Sequence, residues 1–181
     1  MMNKMKWLAV ALLVCVAAPM VHAEALITRG SNELGVQGMI DFATFQGVET
    51  DIKLKYAYFF WDRISVGVKA IAYNNDAVHS FGLGLTGEYN FRLPAGYKPL
   101  FGTDFVPFLG INLDYRRAKL FDEKEDALVA GAEGGVKFFL TDCTALTLSL
   151  QGELATEDIY DDDLEATNKD LGLNLGLRFY F

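Results

Sequence analysis

The chain is expected to fold as an all-β protein, an eight-stranded antiparallel up-and-down transmembrane barrel, and three observations lead there. Its last eleven residues alternate without a break: Leu171, Leu173, Leu175, Leu177, Phe179 and Phe181 fall on one face, and Gly172, Asn174, Gly176, Arg178 and Tyr180 on the other. Seven earlier stretches repeat the pattern, each closed by turn residues. Beyond the amino-terminal segment, no stretch holds the ~20 consecutive apolar residues of a transmembrane helix, so any span must be made of strands. A tilted strand crosses hydrocarbon in about 9–11 residues. Its backbone groups find no water in lipid, and only a closed barrel pairs them all.

The chain begins with Lys4 and Lys6, an apolar run from Trp7 to Ala18, and Val21-His22-Ala23 before Glu24. This pattern reads as a secretory signal peptide, residues 1–23, cleaved after Ala23. Cys15 is a poor lipidation site, because bulky Val14 stands where a small residue is needed. Residues 24–181 then form one barrel domain with a single cysteine, Cys143, so no internal disulfide is expected. Loss of Lys4 and Lys6 takes the formal net charge from -8 to -10. That acidity disfavours nucleic acid as a partner, since such binders need a clustered basic face.

The strands follow in order. The first, Glu33 to Phe42, turns Leu34, Val36, Gly38, Ile40 and Phe42 outward. After a Thr44–Gly47 link, Val48 to Phe60 sets Ile52, Leu54, Tyr56, Tyr58 and Phe60 against inward Glu49, Asp51, Lys53 and Lys55. The turn Trp61-Asp62-Arg63 leads into Ile64 to Tyr73, with Lys69 inward. Asn74-Asn75-Asp76 signals another turn before Phe81 to Leu93, with Glu88 and Arg92 inward. A connection marked by Pro94, Pro99 and Pro107 precedes a strand from about Phe108 to Arg116, in which Asp114 and Arg116 face in. A charged loop, Lys119 to Asp126, separates it from Leu128 to Leu140, with Glu133 and Lys137 inward. Thr141-Asp142-Cys143 turns the chain into Thr144 to Leu154, and an acidic loop from Thr156 to Asp170 leads to the last strand.

An even strand number puts both ends on one side of the membrane. With that side periplasmic, Tyr56, Tyr58, Phe60, Tyr89, Phe91, Phe138, Phe179 and Phe181 gather near the periplasmic interface as an aromatic girdle. The two charged loops then face outward, and Thr156–Asp170 reads as mobile, solvated surface.

Apart from Arg117 at a strand edge, the outward stripes carry no charge. Inward positions carry eight acids, Glu33, Asp41, Glu49, Asp51, Glu88, Asp114, Glu133 and Glu153. Facing them are seven bases, Lys53, Lys55, Lys69, Arg92, Arg116, Lys137 and Arg178. Buried charge is costly unless paired, and eight strands leave an interior that side chains just fill. A network of ion pairs is therefore expected, with Lys69, Glu88, Asp114, Arg116, Glu133 and Lys137 as its mid-barrel plug. Inward glycines, among them Gly35, Gly82 and Gly84, would make room for these long side chains.

Three motifs carry less than their form suggests. Gly82-Leu-Gly-Leu-Thr-Gly87 has the spacing of a dinucleotide loop but lies within a period-two strand, not between a strand and a helix. His79 and Ser80 are neighbours on a strand, face opposite ways, and so make a poor base and nucleophile pair. The carboxylates of Glu157 to Glu165 lack the spacing of a calcium loop. No cofactor or catalytic site is expected.

On its eight alternating stretches, its leader and its Leu177-Arg-Phe-Tyr-Phe181 end, the chain resembles the small OmpA-like and OmpX-type outer-membrane barrels. The resemblance implies a Gram-negative outer membrane, with barrel-assembly machinery reading the terminal strand during insertion. It also implies outer-membrane lipids and lipopolysaccharide as surroundings and a possible surface ligand at the extracellular loops. Members of this group serve envelope integrity, adhesion or defence, and a chain ending at Phe181 is expected to lack the periplasmic domain of longer members. A narrow porin-like channel for small solutes or ions is the alternative, and a lipid A-modifying enzyme is a more distant one.

Overall fold

The computed structural model describes residues 27–41, 49–74, 78–93, 105–120, 123–162 and 165–181. The segment expected to be a signal peptide, the Thr44–Gly47 link, the Asn75-Asp76 turn and the Pro94–Pro99 connection lie outside them, as do the side chains of Asp41 and Glu49. The strands are β1 (Asn32–Asp41), β2 (Glu49–Trp61), β3 (Ile64–Asn74), β4 (Val78–Asn90), β5 (Phe105–Leu120), β6 (Glu123–Thr141), β7 (Thr144–Ala155), β8 (Tyr160–Asp162), β9 (Glu165–Thr167) and β10 (Lys169–Tyr180). Eight of them close a barrel in the order β1-β10-β7-β6-β5-β4-β3-β2, and every pairing is antiparallel. The seam is the β1–β10 pair, where Leu34 lies opposite Phe179.

The alternation read from the sequence is the alternation of the wall. Leu34, Val36, Ile52, Leu54, Val66, Val68, Leu83, Leu85, Ile111, Leu113, Leu148, Leu150, Leu173 and Leu175 all stand exposed on the outside. A continuous apolar surface of this size is stable in lipid and prone to associate in water. Tyr58 and Phe60 meet edge-to-face at 4.9 Å between ring centres, as do Tyr89 and Phe91, at the end of the barrel that carries the termini. At that end the β2–β3 and β6–β7 turns are short. Trp61 pairs with Ile64 and Thr141 with Thr144, and Arg63 takes a positive φ of 69° in the first of these turns. A register shift precedes each turn, between Phe59 and Trp61 and between Phe139 and Thr141.

The expected strand limits need correction at the opposite end. The charged segment Lys119 to Asp126 is not an open loop: β5 and β6 stay paired through Arg117 with Asp126 and Lys119 with Lys124 to Leu120 with Glu123. Hydrophobicity marks where lipid contact ends, but backbone pairing continues as long as neighbouring strands supply partners. For the same reason β4 begins at Val78, before the apolar run, and stops at Asn90. Arg92 consequently lies past the strand and is exposed instead of facing the lumen. Pro107 falls inside β5 near its start, the position a residue without an N–H tolerates, and its carbonyl accepts the Phe91 N–H at 2.8 Å.

The acidic segment after β7 is also more ordered than expected. Residues of β8 and β9 pair as a small hairpin, Tyr160 opposite Thr167. Ile159, just before it, is buried with Ala118, Ala127, Val129 and Ala155, and Tyr160 packs against the same group. Ile159 burial alone contributes about 1.5–3 kcal/mol to holding this segment over the barrel mouth. At the other end, Ile27 caps the lumen with Phe59, Val106, Phe139, Ala145 and Tyr180, and its carbonyl accepts the Arg63 N–H at 3.1 Å. The lumen is thus a charged middle between two apolar closures.

Candidate functional site

The interior charges sit at two heights. Near the terminal end, Glu33 is the hub: it accepts from Arg178 Nη1 at 2.6 Å, Lys55 at 3.0 Å and Lys137 at 3.1 Å. Glu88 takes Lys55 at 2.7 Å and also pairs with Lys137. Arg178 spans the group, its Nη2 donating to Gln37 Oε1 at 3.1 Å and lying 4.0 Å from Glu133. Glu133 is held in turn by the Ser149 hydroxyl at 2.6 Å. Lys137 is wholly buried, with the rings of Phe108 and Tyr180 5.1 and 5.5 Å from its ammonium. Both rings offer their faces to the cation, which offsets part of its lost hydration.

Toward the far end, Asp114 pairs with Lys69 at 2.8 Å and Arg116 at 3.2 Å, and Glu153 pairs with Arg116 at 2.6 Å. The Tyr160 hydroxyl closes this group from above, donating to Glu153 Oε2 at 2.9 Å and accepting from Arg116 Nη1 at 3.0 Å. Beside it, Lys53 bridges Asp51 at 2.9 Å and the Gln151 carbonyl oxygen at 2.7 Å. The six acids Glu33, Asp51, Glu88, Asp114, Glu133 and Glu153 thus meet the six bases Lys53, Lys55, Lys69, Arg116, Lys137 and Arg178. A balanced set lets each buried charge be offset by an opposite one, where a lumen of one sign would repel itself.

Of the six residues expected at mid-barrel, Lys69, Asp114 and Arg116 come together in the far cluster. Glu88 and Lys137 join the near one, and Glu133 sits at its margin. The expected single plug is therefore two. Strand parity assigns a face but not a height, and this is why the sequence missed Glu33 and Arg178 as the most connected members. A usable signal was the small residue opposite: a Cβ on Gly35 would lie 2.9 Å from Arg178 Cδ, and one on Gly82 would lie 2.7 Å from Arg116 Cγ. Both glycines are spaces for the arginine stems. Tyr160 had no signal at all, since it lies in a segment without alternation.

Between the clusters remains a cavity of about 20 Å³ bordered by Gln37, Lys53, Lys55, Lys69, Asn112, Glu133 and Gln151. That is room for about one water and too little for a solute. His79 is exposed on the outer wall and hydrogen-bonds Asn74, and Ser80 lies on the opposite face of the strand, so the two are not brought together.

An apolar-walled, closed barrel with a filled polar interior defines a class: small transmembrane barrels that cross the membrane with strands. The sequence profile of the outer membrane protein beta-barrel domain matches residues 8–179, and the chain belongs to that family. No curated protein sequence matches it. Among solved structures, the N-terminal barrel domain of Pseudomonas aeruginosa OprF is similar with a TM-score of 0.61 at 17% identity, covering 84% of this chain and 98% of that one. Neisserial surface protein A gives 0.54 at 17% identity, with 83% and 95% covered. Pseudomonas aeruginosa OprG gives 0.50 at 13% identity, with 87% and 99% covered. At these identities the likeness concerns the fold. Family and fold together make the protein an outer-membrane barrel.

Proposed function

We propose that this chain is a structural, non-enzymatic protein of a Gram-negative outer membrane, exported by a cleaved leader and closed to solutes by its own interior. Its roles are envelope integrity and contact with surface partners through the segments at the end away from the termini. The observation that carries the reading is the lumen: two ion-paired clusters between two apolar closures, with a cavity of only about 20 Å³ between them. Leu177-Arg-Phe-Tyr-Phe181, continuous with the wall at the seam, suits recognition by barrel-assembly machinery during insertion. The apolar outer wall suits lipid surroundings, with phospholipid and lipopolysaccharide as those of an outer membrane.

Single-channel recording in planar bilayers tests this. The unmodified protein should give no steady conductance, whereas replacing Lys69, Glu88, Asp114, Arg116, Glu133 and Lys137 together with Ala or Ser should produce one. Steady conductance from the parent would make it a narrow channel instead. A change in lipid A mass between cells with and without the protein would point to a lipid-modifying enzyme.

A further inference from the structure

Charge on the outer wall, among the described residues, gathers toward the end away from the termini, and its sign runs against the sign of the chain. Among the described residues, the outward register positions of the eight barrel strands carry a charge at Arg117, Lys119, Asp126 and Lys169. Three bases and one acid stand there, on a protein of net charge -8. Arg117 and Lys119 line a groove of about 290 Å³ with Tyr73, His79 and Phe81, at the end of the barrel away from the termini.

The height of the groove selects its occupant. Phe81 lies opposite Arg117, and Tyr115, one outward step below Arg117, is exposed on the lipid side. Exposed aromatics at the edge of an apolar wall mark the membrane–water interface, so cations one step further out lie at headgroup level. Arg117 is two-thirds exposed and uses two of its five N–H donors on Asp126, from Nε at 2.7 Å and Nη2 at 3.0 Å. The Tyr115 hydroxyl also meets this guanidinium, and the N–H donors left on its outer edge suit a phosphate, which guanidinium groups bind through parallel N–H bonds.

We infer that the groove along β4 and β5 seats the phosphorylated headgroup of an outer-leaflet glycolipid, with Arg117 and Lys119 on the phosphate and Phe81 against the acyl chains. This rests on the orientation proposed above, in which the termini face the periplasm.

Native mass spectrometry of the folded, detergent-solubilised barrel tests the site without reference to orientation. The probes are bis-phosphorylated lipid A, the same lipid dephosphorylated, and inorganic phosphate. The parent should retain the phosphorylated lipid in preference to the dephosphorylated one. Arg117→Gln with Lys119→Gln should lower retention by roughly tenfold to thirtyfold, the effect of two cations beside an anionic headgroup. Asp126→Asn should raise it by releasing the guanidinium, where a purely structural Arg117–Asp126 pair would leave retention unchanged or lower it. Equal retention by the double variant, equal retention of the dephosphorylated lipid, or displacement by inorganic phosphate alone would each overturn the assignment. Orientation is read separately, from thiol labelling of Cys143.

Discussion

Arg178 Nη1 donates to Glu33 Oε1 at 2.6 Å, joining the last strand of the barrel to the first across 145 positions of sequence. Both side chains are wholly buried, and the guanidinium stem lies where Gly35 has no side chain. The pair sits on the seam. Backbone bonds between β1 and β10 close the wall, and this ion pair ties the same two strands together from inside.

Arg178→Met should therefore destabilise the folded barrel, by at most about 3–5 kcal/mol, because it removes one of the three bases on buried Glu33 and leaves the interior with one acid in excess. Glu33→Gln in the same background should cost less than the sum of the two single changes, since the partners act together. Urea unfolding from liposomes measures both. Additive losses would show that Arg178 and Glu33 are not coupled.

The outer wall makes a contrasting demand. Leu173 is exposed at mid-strand among Leu171 and Leu175, and Leu173→Arg should reduce folding into bilayers by about 2–4 kcal/mol. Leu173→Phe should fold nearly as well as the parent. Equal yields for the two variants would contradict the assigned lipid face.

Tyr160 holds the segment over the far mouth through Glu153 and Arg116. Removing the hydroxyl by Tyr160→Phe should cost about 1 kcal/mol. Tyr160→Ala should expose the β8–β9 hairpin to protease, with the barrel strands still protected. Limited proteolysis of vesicle-embedded protein reads this directly, and cleavage rates equal to the parent would mean the tyrosine does not anchor the segment.

Cys143 is exposed in the turn between β6 and β7, at the end that carries the termini. On intact cells a membrane-impermeant maleimide should leave it unlabelled, and permeabilising the outer membrane should label it. Labelling of intact cells would invert the orientation.

The sequence by itself determined the class of fold, the number of barrel strands and the face of nearly every residue in them. The reason is local: lipid demands apolar side chains at alternate positions and leaves no backbone group without a partner, so Leu148 and Ser149 declare their faces without reference to distant residues. Tertiary structure decided what alternation does not encode. Heights in the lumen depend on the register of neighbouring strands, which brought Glu33 to Arg178 and separated Lys69 from Lys137. Strand length beyond the lipid depends on backbone pairing, which carried β5 and β6 through a charged segment that read as loop. The burial of Ile159 and the bonds of Tyr160 depend on a mouth of small residues, Ala118, Ala127 and Ala155, that exists only once three strands have met.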